Sequence, residues 1–262
     1  MKIGCFGTAD QLGLIENAGF DSAELDFCEL VNMDETEYSS FLDKAKHSPV
    51  NFEVFSGLIP LSQRFHSPEF NLDYWLDKID KGAKRAQELG CVMIPFGAGK
   101  CRSIPENVDI NTATRTVAKI VRSISELLQQ YQIQLVIEPL GPANSNFLNT
   151  LPEVAEFLKI VDHPNCSSMV DLRHMHKTSE PLTNIEKYLS IVKHAHIDYP
   201  RALTRYFPSP EDDFDYDPYI RTLLAVNYNG LLTIEATAVK NDFFSEASKA
   251  LTYLRTIISK YE

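Results

Sequence analysis

Two hydrophobic rhythms alternate along the chain. Short apolar or β-branched runs, fit for buried strands, are separated by longer stretches in which apolar residues recur three and four positions apart, as on one face of a helix. The short runs predict strands over 2–6, 22–27, 51–55, 91–95, 133–138, 167–171, 193–198 and 231–235. The longer stretches predict helices over 8–18, 35–46, 74–89, 112–130, 151–161, 184–192, 217–226 and 243–260. Gly19 and Gly90 stand where helices should end, and Asn149 or Thr150 can cap a helix that carries Pro152 in its first turn. One connection, 61–72, is too long for a tight turn and reads as a lid.

Eight strand–helix units recur at a spacing of roughly 30 residues, the size of a βαβ unit. No Gly-, Ser- or Pro-rich linker divides them. The expected architecture is α/β, a single (β/α)8 TIM barrel forming one domain over 1–262. A doubly wound open sheet is the alternative. Its dinucleotide fingerprint should follow the first strand, and Gly4, Gly7 and Gly13 do not compose one.

Charge narrows the range of partners. The 262 residues carry a formal net charge of −11. An acidic surface disfavours nucleic acid and anionic membranes, while leaving a small-molecule substrate open. The five cysteines are odd in number and contain no CxxC pair, which argues against a disulfide framework or a thiolate zinc site and suits a reducing compartment. Met1-Lys2-Ile3-Gly4 reads as a strand rather than a signal peptide, and no apolar run is long enough to span a bilayer. The expectation is a soluble, cytoplasmic protein.

Candidate chemistry lies at the strand ends. The run Leu135-Val136-Ile137 leads straight into Glu138, and Pro139 stops the strand. A buried strand does not normally deliver an ionisable group unless that group is paired, metal-bound or catalytic. Three later strands end likewise, at Asp171, His196 and Glu235. Glu24, Asp26, Ser56, His174, His194 and Asp198 fall at or near strand ends as well. Taken singly, such a carboxylate is more often solvated or a helix cap, and a lone histidine is as often core. Together, converging carboxylates repel, and a divalent cation relieves the repulsion. Two Glu, one Asp and one His form an oxygen-rich set suited to one Mn²⁺, Mg²⁺ or Co²⁺ ion, with Zn²⁺ a weaker fit.

Other signals are weaker. Gly97-Ala98-Gly99-Lys100 fails the phosphate-loop pattern, though Lys100 and Arg102 remain candidate anion contacts. Arg201 and Arg205 lie in the loop after the seventh strand, where one of them can meet a substrate oxygen. His66 in the long connection reads as a surface residue. No GxSxG elbow supports a serine nucleophile.

The motifs Ile137-Glu138-Pro139-Leu140, Asp171-Leu172-Arg173-His174, His194-Ala195-His196-Ile197-Asp198 and Thr233-Ile234-Glu235 carry a family resemblance. In order and strand-end position the chain resembles the xylose isomerase-like barrels, among the sugar phosphate isomerases and epimerases that include ketose 3-epimerases, hydroxypyruvate isomerases and inosose dehydratases. The resemblance implies that Glu138, Asp171, His196 and Glu235 ligate the metal and that His174 contacts the substrate. It further implies that Glu138 and Glu235 serve as acid/base groups on opposite faces of a bound sugar. Association into homo-oligomers is frequent in such barrels. Two positions depart from the ketose epimerases: a substrate-contacting Glu is replaced by Asn144, and an Arg six residues after the ligand His is replaced by Ala202, with Arg201 and Arg205 nearby. The implied reaction is Glu-mediated proton transfer through a metal-stabilised enediolate, giving epimerisation or isomerisation. The same barrel also supports dehydration of a polyol-derived ketone, or sugar binding without turnover. A nuclease reading, by analogy with the endonuclease IV relatives, fails because no histidine follows His196 and the charge is wrong for DNA.

Overall fold

A computed structural model describes residues 1–261. In chain order the elements are β1 (Lys2–Gly7), α1 (Leu12–Ala18), β2 (Ser22–Asp26), α2 (Phe27–Asn32), α3 (Glu35–Lys46), β3 (Asn51–Ser56), α4 (Leu72–Glu88), β4 (Met93–Phe96), α5 (Gly99–Arg102), α6 (Ile110–Gln129), β5 (Gln134–Ile137), α7 (Leu151–Val161), β6 (Cys166–Asp171), α8 (Leu172–Thr178), α9 (Thr183–Lys187), β7 (Val192–Ile197), α10 (Asp217–Ala225), β8 (Leu231–Ile234) and α11 (Phe243–Ile258). The strands close into a barrel in sequential order, β8 pairing back onto β1, and every pairing is parallel. This is the expected (β/α)8 TIM barrel.

Strands and long helices form where the hydrophobic pattern places them. In α6 the buried positions Ala113, Val117, Val121, Ile124 and Leu128 fall three or four apart and face the sheet, while Asp109 caps the helix by accepting from the Thr112 N–H at 2.9 Å. The Asp34 and Glu37 side chains close a capping box at the start of α3. The fourth strand begins at Met93, two residues later than the pattern suggests. The Cys91 N–H is used at 2.9 Å by the Ala86 carbonyl, closing the end of α4 before the sheet ladder starts.

Three short helices, α2, α5 and α8, were not expected. Two of them begin directly on a strand-end carboxylate. Asp26 accepts from the Glu29 N–H, and Asp171 from the Arg173 and His174 N–H groups, so each strand turns immediately into a helical turn. The expected helix over 184–192 splits into α9 and a 3-10 turn at Leu189–Ile191. The long connection after β3 lies over the C-terminal face. Its Phe65 is buried, stacks on Phe96 with ring centroids 6.0 Å apart and donates its N–H to the Cys101 carbonyl at 2.9 Å. Among the described residues all five cysteines are free, and no helix is long and apolar enough to cross a membrane.

Candidate active site

The C-terminal strand ends open into a cavity of about 530 Å³, with Glu138, His174, His196, Arg205 and Glu235 in its wall. Glu138 and Glu235 are each the first residue past a strand. Their N–H groups still extend the ladder, to Phe96 O at 3.2 Å and Ile197 O at 3.0 Å, so the backbone under each carboxylate is held by the barrel. Asp171 is fixed as the cap of α8, and the same helical turn presents His174.

One ligand atom from each of Glu138, Asp171, His196 and Glu235 lies within 4.8 Å of the others. Two polar atoms in this cluster, Glu138 Oε1 and His196 Nδ1, are buried without a hydrogen-bond partner, and a third, Glu235 Oε2, is buried with only the Arg205 guanidinium, 2.5 Å away, as its ion-pair partner. His196 Nδ1 stands 3.0 Å from Glu235 Oε2 and 3.7 Å from Glu138 Oε1. Acceptor atoms facing one another in a buried site need a positive centre between them. Three carboxylates and one imidazole therefore fit a hard divalent cation, and these residues could hold one.

Arg205 is the positive charge that the chain itself supplies. Its Nη1 lies 3.0 Å from Asp171 Oδ2, 3.1 Å from Asp198 Oδ2 and 2.5 Å from Glu235 Oε2. Burial pushes the Asp171 carboxyl up, but His174, Arg205 and His196 outweigh it and hold the group well below the usual carboxylate range. The Glu235 carboxyl is likewise lowered, Arg205 and His196 prevailing over burial.

The His174 tautomer follows from its neighbours. Nδ1 accepts from the Gly141 N–H at 3.0 Å, and Arg205 Nη2 stands 3.0 Å from Nε2. A backbone N–H and a guanidinium are both obligate donors, and a neutral imidazole cannot accept from both. With the backbone-fixed Gly141 N–H donating to Nδ1, the proton of a neutral ring falls on Nε2 and opposes the Arg205 N–H at 3.0 Å, a contact that an oxygen accepting from both would relieve. The His174 Nε2 faces Glu138 Oε1 at 3.6 Å and Asp171 Oδ2 at 3.7 Å.

A model of the family described as xylose isomerase-like TIM barrel matches residues 12–257. The chain belongs to that family. Among xylose isomerase-like proteins it is 26% identical over 175 residues to the Synechocystis sp. "Probable ketose 3-epimerase", covering 63% of this chain and 58% of that protein. It is 26% identical over 150 residues to fructoselysine 3-epimerase of Escherichia coli O157:H7, covering 55% of this chain and 54% of that protein. The matches thus span little more than half the length of these relatives. The fold is that of E. coli 3-keto-D-glucoside 4-epimerase, with a TM-score of 0.83 over 98% of this chain and 99% of that one at 18% identity.

Within this xylose isomerase-like barrel the structure sorts the remaining candidates. Of the two arginines after β7, Arg205 lines the cavity, whereas Arg201 is exposed and paired with Asp213 Oδ2 at 2.7 Å. Asn144 and Lys100 stand on the cavity wall and are exposed. Arg102 is no anion contact. It is fully buried, and its guanidinium donates to the carbonyls of Phe96, Glu138, Phe147 and Leu148 at 2.7–3.3 Å. The neighbouring glycines serve close approach rather than phosphate binding. A Cβ on Gly97 would lie 2.5 Å from Glu138 Oε2, and one on Gly99 would lie 2.8 Å from the Asn144 carbonyl oxygen. His66 is half-buried rather than a free surface residue.

Arg173 is a residue whose importance the sequence did not signal. Its Nε donates to both oxygens of Asp198, at 2.9 and 2.7 Å. Its Nη atoms donate to the carbonyls of Ala202, Tyr199 and Thr204 at 2.7, 2.6 and 3.1 Å. The loop after β7 is thereby wrapped around one guanidinium, and that wrapping delivers Arg205 to the cluster. Burial and the adjacent Asp171 push Asp198 up to about 7 against the pull of Arg205 and Arg173.

Proposed function

We propose that this protein is a divalent-metal-dependent isomerase or epimerase of a small carbohydrate or sugar phosphate. The observation that carries the reading is the convergence of Glu138, Asp171, His196 and Glu235 to within 4.8 Å of one another, with Glu138, His196 and Glu235 on the wall of one cavity and with Glu138 Oε1 and His196 Nδ1 buried without a hydrogen-bond partner. Membership of the xylose isomerase-like family and the sugar epimerases among its relatives support it.

Glu138, Asp171, His196 and Glu235 would hold the ion. A bound divalent ion supplies Lewis-acid polarisation of a substrate carbonyl and lowers the cost of the negative charge left by proton removal. The chain's own groups divide the remaining work. Glu138 is the base that takes a proton from the carbon beside the carbonyl, because it lines the cavity and its Oε1 is buried and has no donor within hydrogen-bond distance. Glu235, three strands further round the barrel, is the group that returns a proton from the other side. His174 Nε2–H and Arg205 donate to substrate oxygens, and Asn144 contacts the part of the substrate nearer the cavity mouth. Return to the same carbon on the opposite face gives an epimer, and return to the neighbouring carbon an isomer.

The experiment is a screen of ketoses and their phosphates in D2O with Mn²⁺-loaded protein. Exchange of a carbon-bound proton is expected in at least one of them. It should fall to background on treatment with a chelator and return on adding Mn²⁺. Undiminished exchange by chelator-stripped protein would contradict the proposal.

A further inference from the structure

Glu24 bears on the reaction without reaching the cavity. It projects from β2 into the barrel interior, is fully buried, and lies across from the β7 histidines. Its Oε1 stands 3.0 Å from His196 Nε2, and its Oε2 stands 3.0 Å from His194 Nε2. The Ser56 hydroxyl, from β3, donates to Oε1 as well. An ionised carboxylate only accepts, so each of the three neighbours must present a hydrogen: the Nε2–H of both imidazoles and the O–H of serine. Three donors also remove the penalty that a buried, unpartnered carboxylate would carry.

The consequence falls on His196. With its Nε2 hydrogen committed to Glu24, Nδ1 is the one ring nitrogen of His196 left to face the cluster. That is the atom 3.0 Å from Glu235 Oε2, buried and unpartnered, in the cluster described above. We infer that Glu24 is the positioning residue of the metal centre: it locks His196 in the Nε2–H tautomer and so makes Nδ1 the ligand atom. The inference rests on the metal reading proposed above. A histidine ligand is generally oriented and made more basic by a carboxylate on its other nitrogen.

His194 completes the device. It occupies Glu24 Oε2, and its ring meets that of His196 edge-on, with centroids 4.8 Å apart and planes at 83°. Glu24 is thus tied at both oxygens and cannot swing away from His196. The same three residues could be taken for a second metal site, since their ligand atoms also lie close together. The hydrogen-bond distances argue otherwise: an Nε2 that donates to Glu24 has no lone pair left for an ion.

The test is Glu24→Gln, probed with Co²⁺ and Zn²⁺. The amide offers one acceptor oxygen and one NH2 donor, so the two imidazoles can no longer both donate to it, and one must move its proton to Nδ1. Co²⁺ affinity, followed by calorimetry and by the visible d–d spectrum, should weaken about 10- to 100-fold relative to wild type, the range seen when such supporting partners are lost. In ¹⁵N-histidine-labelled, Zn²⁺-loaded wild-type protein, long-range ¹H–¹⁵N correlation should show His196 protonated at Nε2 and bound through Nδ1. A purely structural role would lower the melting temperature without moving affinity or tautomer. Wild-type Co²⁺ affinity in the variant, or metal bound through Nε2 in the wild type, overturns the inference and leaves the metal reading standing. Failure of the wild type to bind either ion overturns both. Should the variant not fold, the wild-type spectrum decides the question alone.

Discussion

Replacing Glu138 by Gln should leave the barrel folded and lower turnover, or solvent-deuterium exchange, by about 10²- to 10⁴-fold, the contribution typical of a positioned acid/base group. The fold is spared because the backbone at this position is held independently of the side chain. The Glu138 N–H donates to Phe96 O at 3.2 Å, and its carbonyl accepts from the buried Arg102 at 2.7 Å. The substitution keeps the shape that Gly97 makes room for. An amide cannot take up a proton and is a weaker ligand than a carboxylate, so proton exchange and metal affinity fall together. Single-turnover exchange in D2O, with circular dichroism as the folding control, checks the result. Exchange at the wild-type rate would remove Glu138 from the chemistry.

The largest effect on stability is expected at Arg173. Arg173→Met leaves Asp198, which is fully buried, without the Nε–H that both its oxygens share, and strips three loop carbonyls of their donor. Breaking a buried ion pair from one side typically costs about 3–5 kcal/mol. Arg205 remains 3.1 Å from Asp198 and the carboxyl can take up a proton, which places the expected loss near the lower end, about 3 kcal/mol. The loop after β7 should loosen with it, although the Arg205 carbonyl is still held by the Thr237 and Ala238 N–H groups at 3.0 and 3.1 Å. Urea denaturation measures the change. Arg201→Ala, which breaks an exposed pair with Asp213, is the control and should not move the midpoint. Equal midpoints for the two variants would show that the Arg173 clamp contributes nothing.

The two arginines also show how far the sequence could be read. Strands buried on both faces of a parallel barrel leave near-continuous apolar runs, so the eightfold rhythm and the strand-end positions of Glu138, Asp171, His196 and Glu235 were legible. Which arginine after β7 reaches the cluster was not. That depends on how the loop folds back, and the fold-back is organised by Arg173, a side chain from another element. The short helices α2 and α8 escaped for a related reason. Asp26 and Asp171 read as strand-end chemistry, yet each is also a helix cap, and one carboxylate can do both. Glu24 stood among the strand-end residues in the sequence. Only the cross-barrel distances to His194 and His196 show that it lies beneath the cavity rather than in its wall. The glycines before Lys100 suggested a phosphate cradle because close backbone approach and phosphate binding demand the same residue. The Cβ positions decide for close approach, to Glu138 and to Asn144.

The central claim is that one divalent ion sits among Glu138, Asp171, His196 and Glu235. Anomalous diffraction at the manganese edge from crystals grown with Mn²⁺ tests it most directly. The account predicts a single strong peak within about 2.0–2.3 Å of one oxygen from each carboxylate and of His196 Nδ1. A peak among Glu24, His194 and His196 instead, or none in the cavity while Mn²⁺-dependent exchange persists, would contradict it.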